Sequence, residues 1–159
     1  MEMERYYVTT PIYYVNSTPH IGHAYTTIAA DILARHQRQR GVETFFLTGV
    51  DEHAAKVARV AAEQGLSPQE YADQIAVAWR ELPERLNASN DFFIRTSDEE
   101  HKRFVQGFLQ KLYDNGHVYE GTYEGWYCPR CARFYTEREL GPGNTCPRHE
   151  ITLEKEREE

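Results

Sequence analysis

The sequence predicts an α/β fold built on a parallel sheet, and three observations carry that prediction. A run of aromatic and β-branched residues, Tyr6 to Thr10, is followed by a helical pattern from Ile21 to Arg40, and then by a second apolar run, Thr44 to Thr48. Strand, helix and strand in that order form a right-handed parallel unit. A third such run, Asp91 to Arg95, follows a further helical stretch and extends the alternation.

Taken in order, the first strand runs into Pro11, and Pro11 to Pro19 is expected to be a loop. In the helix that follows, Ile21, Tyr25, Ile28, Ile32 and His36 recur at helical spacing, with Gly41 as the stop. Asp51 precedes another helical stretch, His53 to Gln64. At Ser67-Pro68-Gln69-Glu70 a capping hydroxyl, a proline at the first helical position and a glutamate able to reach back predict a helix running to about Leu86. Ser97-Asp98-Glu99-Glu100 has the form of a second capping box, ahead of Phe104, Phe108 and Leu112 at i, i+4 and i+8, and Asn115-Gly116 ends that helix. From His117 the texture becomes alternating aromatics and glycines, which predicts a hairpin in a small separate module. The boundary is therefore set near Gly116, giving domains 1–116 and 117–159. The last residues, Ile151 to Glu159, form either a charged strand edge or a solvated tail.

Composition narrows the function classes. The 159 residues, 40% hydrophobic and 27% charged, fit one domain or a piece of a larger one. With 11 Tyr, 7 Phe and 2 Trp there is enough bulky apolar surface for a core, which excludes wholesale disorder. The charge of −7 argues against a surface dedicated to coating nucleic acid, although Glu150 to Glu159 alone holds five acids and two bases. There is no apolar run of membrane-spanning length and no signal-peptide pattern at the amino terminus, so neither membrane insertion nor export is expected. Three cysteines cannot close into an even set of disulfides, which favours a reduced, cytoplasmic setting.

Two clusters carry chemistry. Just after the first strand, His20-Ile21-Gly22-His23 opens a helix. Ligands of open α/β sheets bind at the carboxyl ends of strands, and helix starts favour anions. Two imidazoles there can donate hydrogen bonds to phosphates, and Gly22 lets a nucleotide come close. Taken singly, a histidine is more often an ordinary part-buried side chain, and it is the pattern around the pair that favours a ligand role. Asp51, after the second strand, lies at the same sheet edge and could hold an ammonium group or simply cap a helix. Neither Gly-x-Gly-x-x-Gly nor Gly-x-x-x-x-Gly-Lys occurs, so hydride transfer and P-loop chemistry are not indicated.

The second cluster is Cys128-Pro129-Arg130-Cys131 followed, after 14 residues, by Cys146-Pro147-Arg148-His149. Two pairs, each spaced by two residues, suit one tetrahedral Zn2+, and four protein ligands make such a site structural rather than catalytic. A redox Cys-x-x-Cys or three unrelated thiols are the competing readings, and the second pair counts against both.

The segments Thr9-Thr10-Pro11-Ile12-Tyr13-Tyr14-Val15-Asn16 and Pro19-His20-Ile21-Gly22-His23-Ala24-Tyr25-Thr26 closely resemble the opening of bacterial methionyl-tRNA synthetases. Thr48-Gly49-Val50-Asp51-Glu52-His53 and Glu124-Gly125-Trp126-Tyr127-Cys128 extend the resemblance over essentially the whole chain. It implies the first half of a Rossmann-like sheet with helices on both faces, followed by the start of a connective peptide with a zinc knuckle. It further implies that His20, Gly22 and His23 bind ATP, that His20 and His23 stabilise the adenylation transition state, and that ATP arrives with Mg2+. Pro11, Ile12 and Tyr14 would line the methionine pocket, and Asp51 would bind the methionine amino group. Core packing is the alternative for Tyr13 and Tyr14. Two departures from the family pattern, Val50 for the usual threonine and Ala54 for the usual glycine, leave Asp51 in place.

Only three parallel strand candidates precede the cysteines, whereas a complete sheet of this type has about five or six, and nothing matches the family's Lys-Met-Ser-Lys-Ser signature. The expected reading is the amino-terminal part of a methionine tRNA ligase, inactive alone, whose missing carboxyl-terminal half acts in cis or in trans and whose tRNA(Met) is met through the full-length protein. A noncatalytic zinc-binding remnant or split-protein half is the alternative, and a small-molecule nucleotidyltransferase is less favoured.

Overall fold

The computed structural model describes residues 4–53 and 55–159, and Ala54 lies outside them. The chain divides into two compact units, Met1–Phe108 and Leu109–Glu159. In the first, β1 (Arg5–Thr9), β2 (Tyr13–Tyr14), β3 (Glu43–Asp51) and β4 (Phe92–Arg95) form one parallel sheet around β3. On one side of β3, β1 pairs from Arg5↔Glu43 to Thr9↔Leu47 and β2 continues with Tyr13↔Val50 and Tyr14↔Asp51. On the other side β4 pairs from Leu47↔Phe92 to Val50↔Arg95. The three expected strands are all present. The two-residue β2 lies inside the segment expected to be a loop, because a strand of two residues is too short to leave a pattern.

Gly49 sits where β3 and β4 come closest: a Cβ there would stand 2.1 Å from the Ile94 carbonyl oxygen, so any other residue would force the strands apart.

Three helices lie within the first unit, α1 (Ile21–Gln39), α2 (Ala55–Glu63) and α3 (Pro68–Arg85), and α4 (Glu99–Asp114) begins in it and ends past Phe108. The predicted cap of α3 is formed in full, Ser67 Oγ accepting from the Glu70 N–H at 3.2 Å and the Glu70 carboxylate accepting from the Ser67 N–H at 2.9 Å. The second expected box is not: Ser97 Oγ donates instead to the buried Glu52 carboxylate, and α4 begins at Glu99. A long-range carboxylate has out-competed a local capping partner.

The core lies on the sheet face that carries Val8, Phe46, Val50 and Phe93. Phe46 packs with Ala30 and Ala34 of α1, while Val50 packs with Tyr13, Val57, Ala61, Tyr71 and Trp79. The opposite face carries Phe45, Phe92 and Ile94, which line a groove of about 520 Å³ with His101, Phe104 and Val105 of α4. Helices therefore stand on both faces. Val50, a departure from the family pattern, is fully buried in the core.

The apolar stripe that marks α1 in the sequence is not the face that packs. Ile21 is 86% exposed, Tyr25 76% and Ile32 61%, whereas Thr27, Ala30, Asp31 and Ala34 are buried. Polar bonds hold the inner face. Asp31 accepts from the Ser89 N–H at 2.7 Å and from Arg35 at 2.6 Å, and Arg38 binds Ser89 and Asp91. Burial pushes the Asp31 carboxyl up, but the hydrogen bonds from Ser89 and Arg35 outweigh it and hold it below its usual range.

In the second unit β5 (Tyr123–Cys128), β6 (Arg133–Tyr135) and β7 (Glu154–Glu158) make an antiparallel sheet in the order β6-β5-β7. The acidic terminal run is thus an edge strand, Glu154 to Glu158 pairing with Tyr127 to Tyr123. Among the described residues no helix is long and apolar enough to cross a membrane.

Candidate functional site

The start of α1 is held by its own histidines. His20 is the N-cap residue, and its Nδ1 accepts from the Gly22 N–H at 3.1 Å, while Nδ1 of His23 accepts from the His20 N–H at 3.1 Å. This is a reciprocal capping box built from two imidazoles. Its consequence is a tautomer: with both Nδ1 atoms accepting, each neutral ring carries its proton on Nε2 as a hydrogen-bond donor. The rings lie 3.7 Å apart between centroids. Burial, and then the charge of His20, lower the His23 pKa from its ordinary value of 6.5. A Cβ on Gly22 would stand 2.9 Å from Cε1 of His20, so the missing side chain is what lets the capping ring fold back.

His23 is positioned from beneath by aromatics. Its ring meets Trp79 edge-on at 4.6 Å and Tyr13 at 4.8 Å, and Tyr13 stacks on Trp79 at 5.1 Å. Trp79, 1% exposed, donates to the Ser17 carbonyl at 3.0 Å and so ties α3 to the loop before α1. The Tyr13 hydroxyl lies 3.1 Å from that of Thr27. Of the two tyrosines for which packing and ligand roles compete, Tyr13 is core, whereas Tyr14 is 49% exposed.

Pairing with β3 sets Tyr14 beside Asp51, at the carboxyl end of the sheet. Asp51 Oδ1 accepts from the His53 N–H at 3.3 Å, and Pro11 and Ile12 are exposed between β1 and β2. His20, His23, Tyr13, Tyr14 and Asp51 are thereby linked through contacts or strand pairing.

A support that sequence reading missed lies next to Asp51. The Glu52 side chain, 1% exposed, pairs with Arg95 at 2.8 Å and accepts from Ser97, while its N–H donates to Thr96 Oγ1 at 2.8 Å. Arg95 also bonds Asp73 on α3. His53 Nε2 lies 3.0 Å from the Thr96 carbonyl oxygen, to which it donates. Glu52 and His53 are thus held by the end of β4 and the two residues that follow it.

The second cluster brings all four expected ligands together. One donor atom from each of Cys128, Cys131, Cys146 and His149 lies within 4.8 Å of the others, Nδ1 of His149 being 3.2 Å from Cys131 Sγ and 3.7 Å from Cys146 Sγ. The two Cys-Pro-Arg-x turns are built alike. The Cys131 N–H donates to the Cys128 carbonyl oxygen at 3.1 Å and the Glu150 N–H to that of Cys146 at 2.9 Å, and each turn ends in a left-handed residue, Ala132 (φ 51°) and Glu150 (φ 54°). Burial raises the Cys128 thiol. It also pushes the Cys146 thiol up, but there the backbone N–H groups, with Cys128 and His149, bring it down to about 6. Three thiols and an imidazole aimed at one point fit a four-coordinate Zn2+.

Comparison with known proteins follows the same outline. The family model described as "tRNA synthetases class I (M)" matches residues 6–158. The chain belongs to this family of class I tRNA synthetases. It is 51% identical over 146 residues to a methionine–tRNA ligase of Thermotoga maritima, covering 90% of this chain and 23% of that protein. It is 46% identical over 158 residues to that of Clostridium acetobutylicum, covering 99% of this chain and 24% of that protein. The chain thus spans about a quarter of the length of these relatives. The methionyl-tRNA synthetase of Mycobacterium tuberculosis in complex with methionyl-adenylate superposes with a TM-score of 0.88 at 36% identity, over 98% of this chain and 31% of that one. An LeuRS of Agrobacterium radiobacter, at a TM-score of 0.72 and 19% identity, shares the fold.

Proposed function

We propose that this chain is the amino-terminal part of a cytoplasmic methionine tRNA ligase, supplying half of the site at which methionine is activated by ATP before transfer to tRNA(Met). The observation that carries the reading is the reciprocal His20–His23 cap, which turns two Nε2–H donors into a preset phosphate contact at a helix start. In the reaction the methionine carboxylate attacks the α-phosphate of Mg2+-bound ATP and pyrophosphate leaves. His20 and His23 donate to phosphate oxygens as charge develops there, and Gly22 admits the nucleotide. Asp51 accepts from the methionine ammonium group, and Tyr14, Pro11 and Ile12 offer apolar surface to its thioether side chain. Zinc, when bound by Cys128, Cys131, Cys146 and His149, ties the two knuckles together and takes no part in adenylation. Residues 1–116 then belong to the catalytic domain and 117–159 to the start of the connective peptide.

The test is methionine-dependent exchange of pyrophosphate into ATP. The full-length protein catalyses it and this 159-residue chain does not. Replacing His20 or His23 by Ala in the full-length protein lowers the rate about 10²- to 10³-fold, the usual loss when one preset donor to developing charge is removed. Exchange by the isolated chain overturns the need for a second half, and unchanged exchange in both variants overturns the role of the histidines.

A further inference from the structure

Tyr135 is a fifth polar side chain in the cysteine cluster, and neither the ligand spacing nor the family resemblance accounts for it. It is 4% exposed and packs among Cys128, Cys146 and Leu153. Its hydroxyl donates to Cys131 Sγ at 3.1 Å and lies 3.8 Å from Cys146 Sγ. The left-handed turn at Ala132 brings the chain straight from Cys131 into β6, where Tyr135 pairs with Trp126. The Arg133 guanidinium sits 4.3 Å from the centre of the ring.

We propose that Tyr135 is a positioning residue of the metal centre, its hydroxyl donating to the Cys131 sulfur so that the thiolate is held in a ligating orientation. The inference rests on the zinc reading above. Three thiolates and a neutral imidazole around Zn2+ leave one net negative charge, and donors to sulfur delocalise it. Cys131, second in its pair, receives the phenol. Outer partners of this kind fix ligand orientation, and their loss costs about 10- to 100-fold in metal affinity.

The test uses the whole 159-residue chain, loaded with zinc, in the wild type, in Tyr135→Phe and in Tyr127→Phe, which removes a hydroxyl from the neighbouring strand. Competition against a chromophoric chelator should show Tyr135→Phe losing zinc at least tenfold more readily than the wild type, with Tyr127→Phe unchanged. Cobalt-substituted Tyr135→Phe should show a shifted sulfur-to-metal charge-transfer band. In wild-type chain loaded with cadmium-113, the Tyr135 hydroxyl proton should show scalar coupling to the metal through the sulfur. That coupling decides the matter even if Tyr135→Phe does not fold. Identical competition curves and cobalt spectra, or no hydroxyl coupling in a chain that has taken up cadmium, would overturn the role of Tyr135. A wild-type chain that takes up no metal overturns instead the zinc reading beneath it.

Discussion

At the scale of single residues, His20 and His23 divide their ring nitrogens between the cap of α1 and the proposed phosphate contact. Nδ1 of each closes the cap of α1, which leaves Nε2 free to donate. The arrangement requires both Nδ1 atoms to be unprotonated, and pH therefore tests it. The His23 pKa lies below 6.5, first through burial and then through the His20 charge, so the folded state disfavours the protonated ring. Its contribution to stability is complete above 6.5 and declines as pH falls through that value. The thermal midpoint should drop between pH 7.5 and 5.5, and His23→Gln, which cannot take up a proton there, should show a smaller drop. Equal drops in calorimetry would remove His23 from the pH response. The histidine pair was legible because it is four residues long and its bonds are local. Its tautomer was not, since a string of residue types carries no acceptor geometry.

At the scale of elements, the carboxyl end of β3 is set by β4 and α3 as much as by its own residues. The Glu52–Arg95–Asp73 chain joins three segments that are distant in sequence, and its Glu52 carboxylate is almost fully enclosed. Arg95 keeps its proton more tightly than usual; burial opposes this, but bonds from Glu52 and Asp73 prevail. Removing one partner of a buried ion pair leaves an unpaired charge, at a cost of about 3–5 kcal/mol. Arg95→Ala should destabilise the chain by that amount in urea unfolding. Adding Glu52→Gln should recover part of it, because no isolated buried charge then remains. A loss below about 1 kcal/mol for Arg95→Ala would show that the pair carries no such burden. Sequence alone showed Asp51-Glu52-His53 as a polar triplet and drew attention to Asp51. The inward turn of Glu52 has no local signal, because it depends on an arginine 43 positions away. The same competition cost α4 its expected cap, since Glu52 takes the Ser97 hydroxyl.

At the scale of the whole molecule, the two compact units have different sources of stability. The first has an aliphatic and aromatic core around Val50, Trp79 and Phe46, whereas the core of the second consists of Cys128, Tyr135, Cys146 and Leu153 with a few part-buried neighbours. A core so small would lean on the proposed zinc, because binding free energy there is folding free energy. The chain should hold about one zinc, lost when Cys128 and Cys131 are both changed to Ser. Chelation should abolish the ordered amide signals of β5–β7 while leaving those of β1 and β3. Retained zinc in the double variant, or intact β5–β7 signals after chelation, would refute this division. The buried Trp126 Nε1, which has no partner among the described residues, offers a fluorescence reporter for the second unit.

What the sequence by itself determined was local: the strand–helix–strand order, the Ser67 cap, the histidine pair at a helix start and four candidate metal ligands in two Cys-Pro-Arg turns. Each is specified within about one turn of chain, where spacing and residue type are enough. Only the tertiary structure decided which face of α1 turns inward. Periodicity marks Ile21, Tyr25, Ile28 and Ile32, yet the helix docks through Thr27, Ala30, Asp31 and Ala34. Small side chains let α1 approach Phe46, and Asp31 finds its donors in Ser89, 58 positions on. A buried carboxylate is tolerated only when such partners exist, and their existence is a property of the fold rather than of the helix.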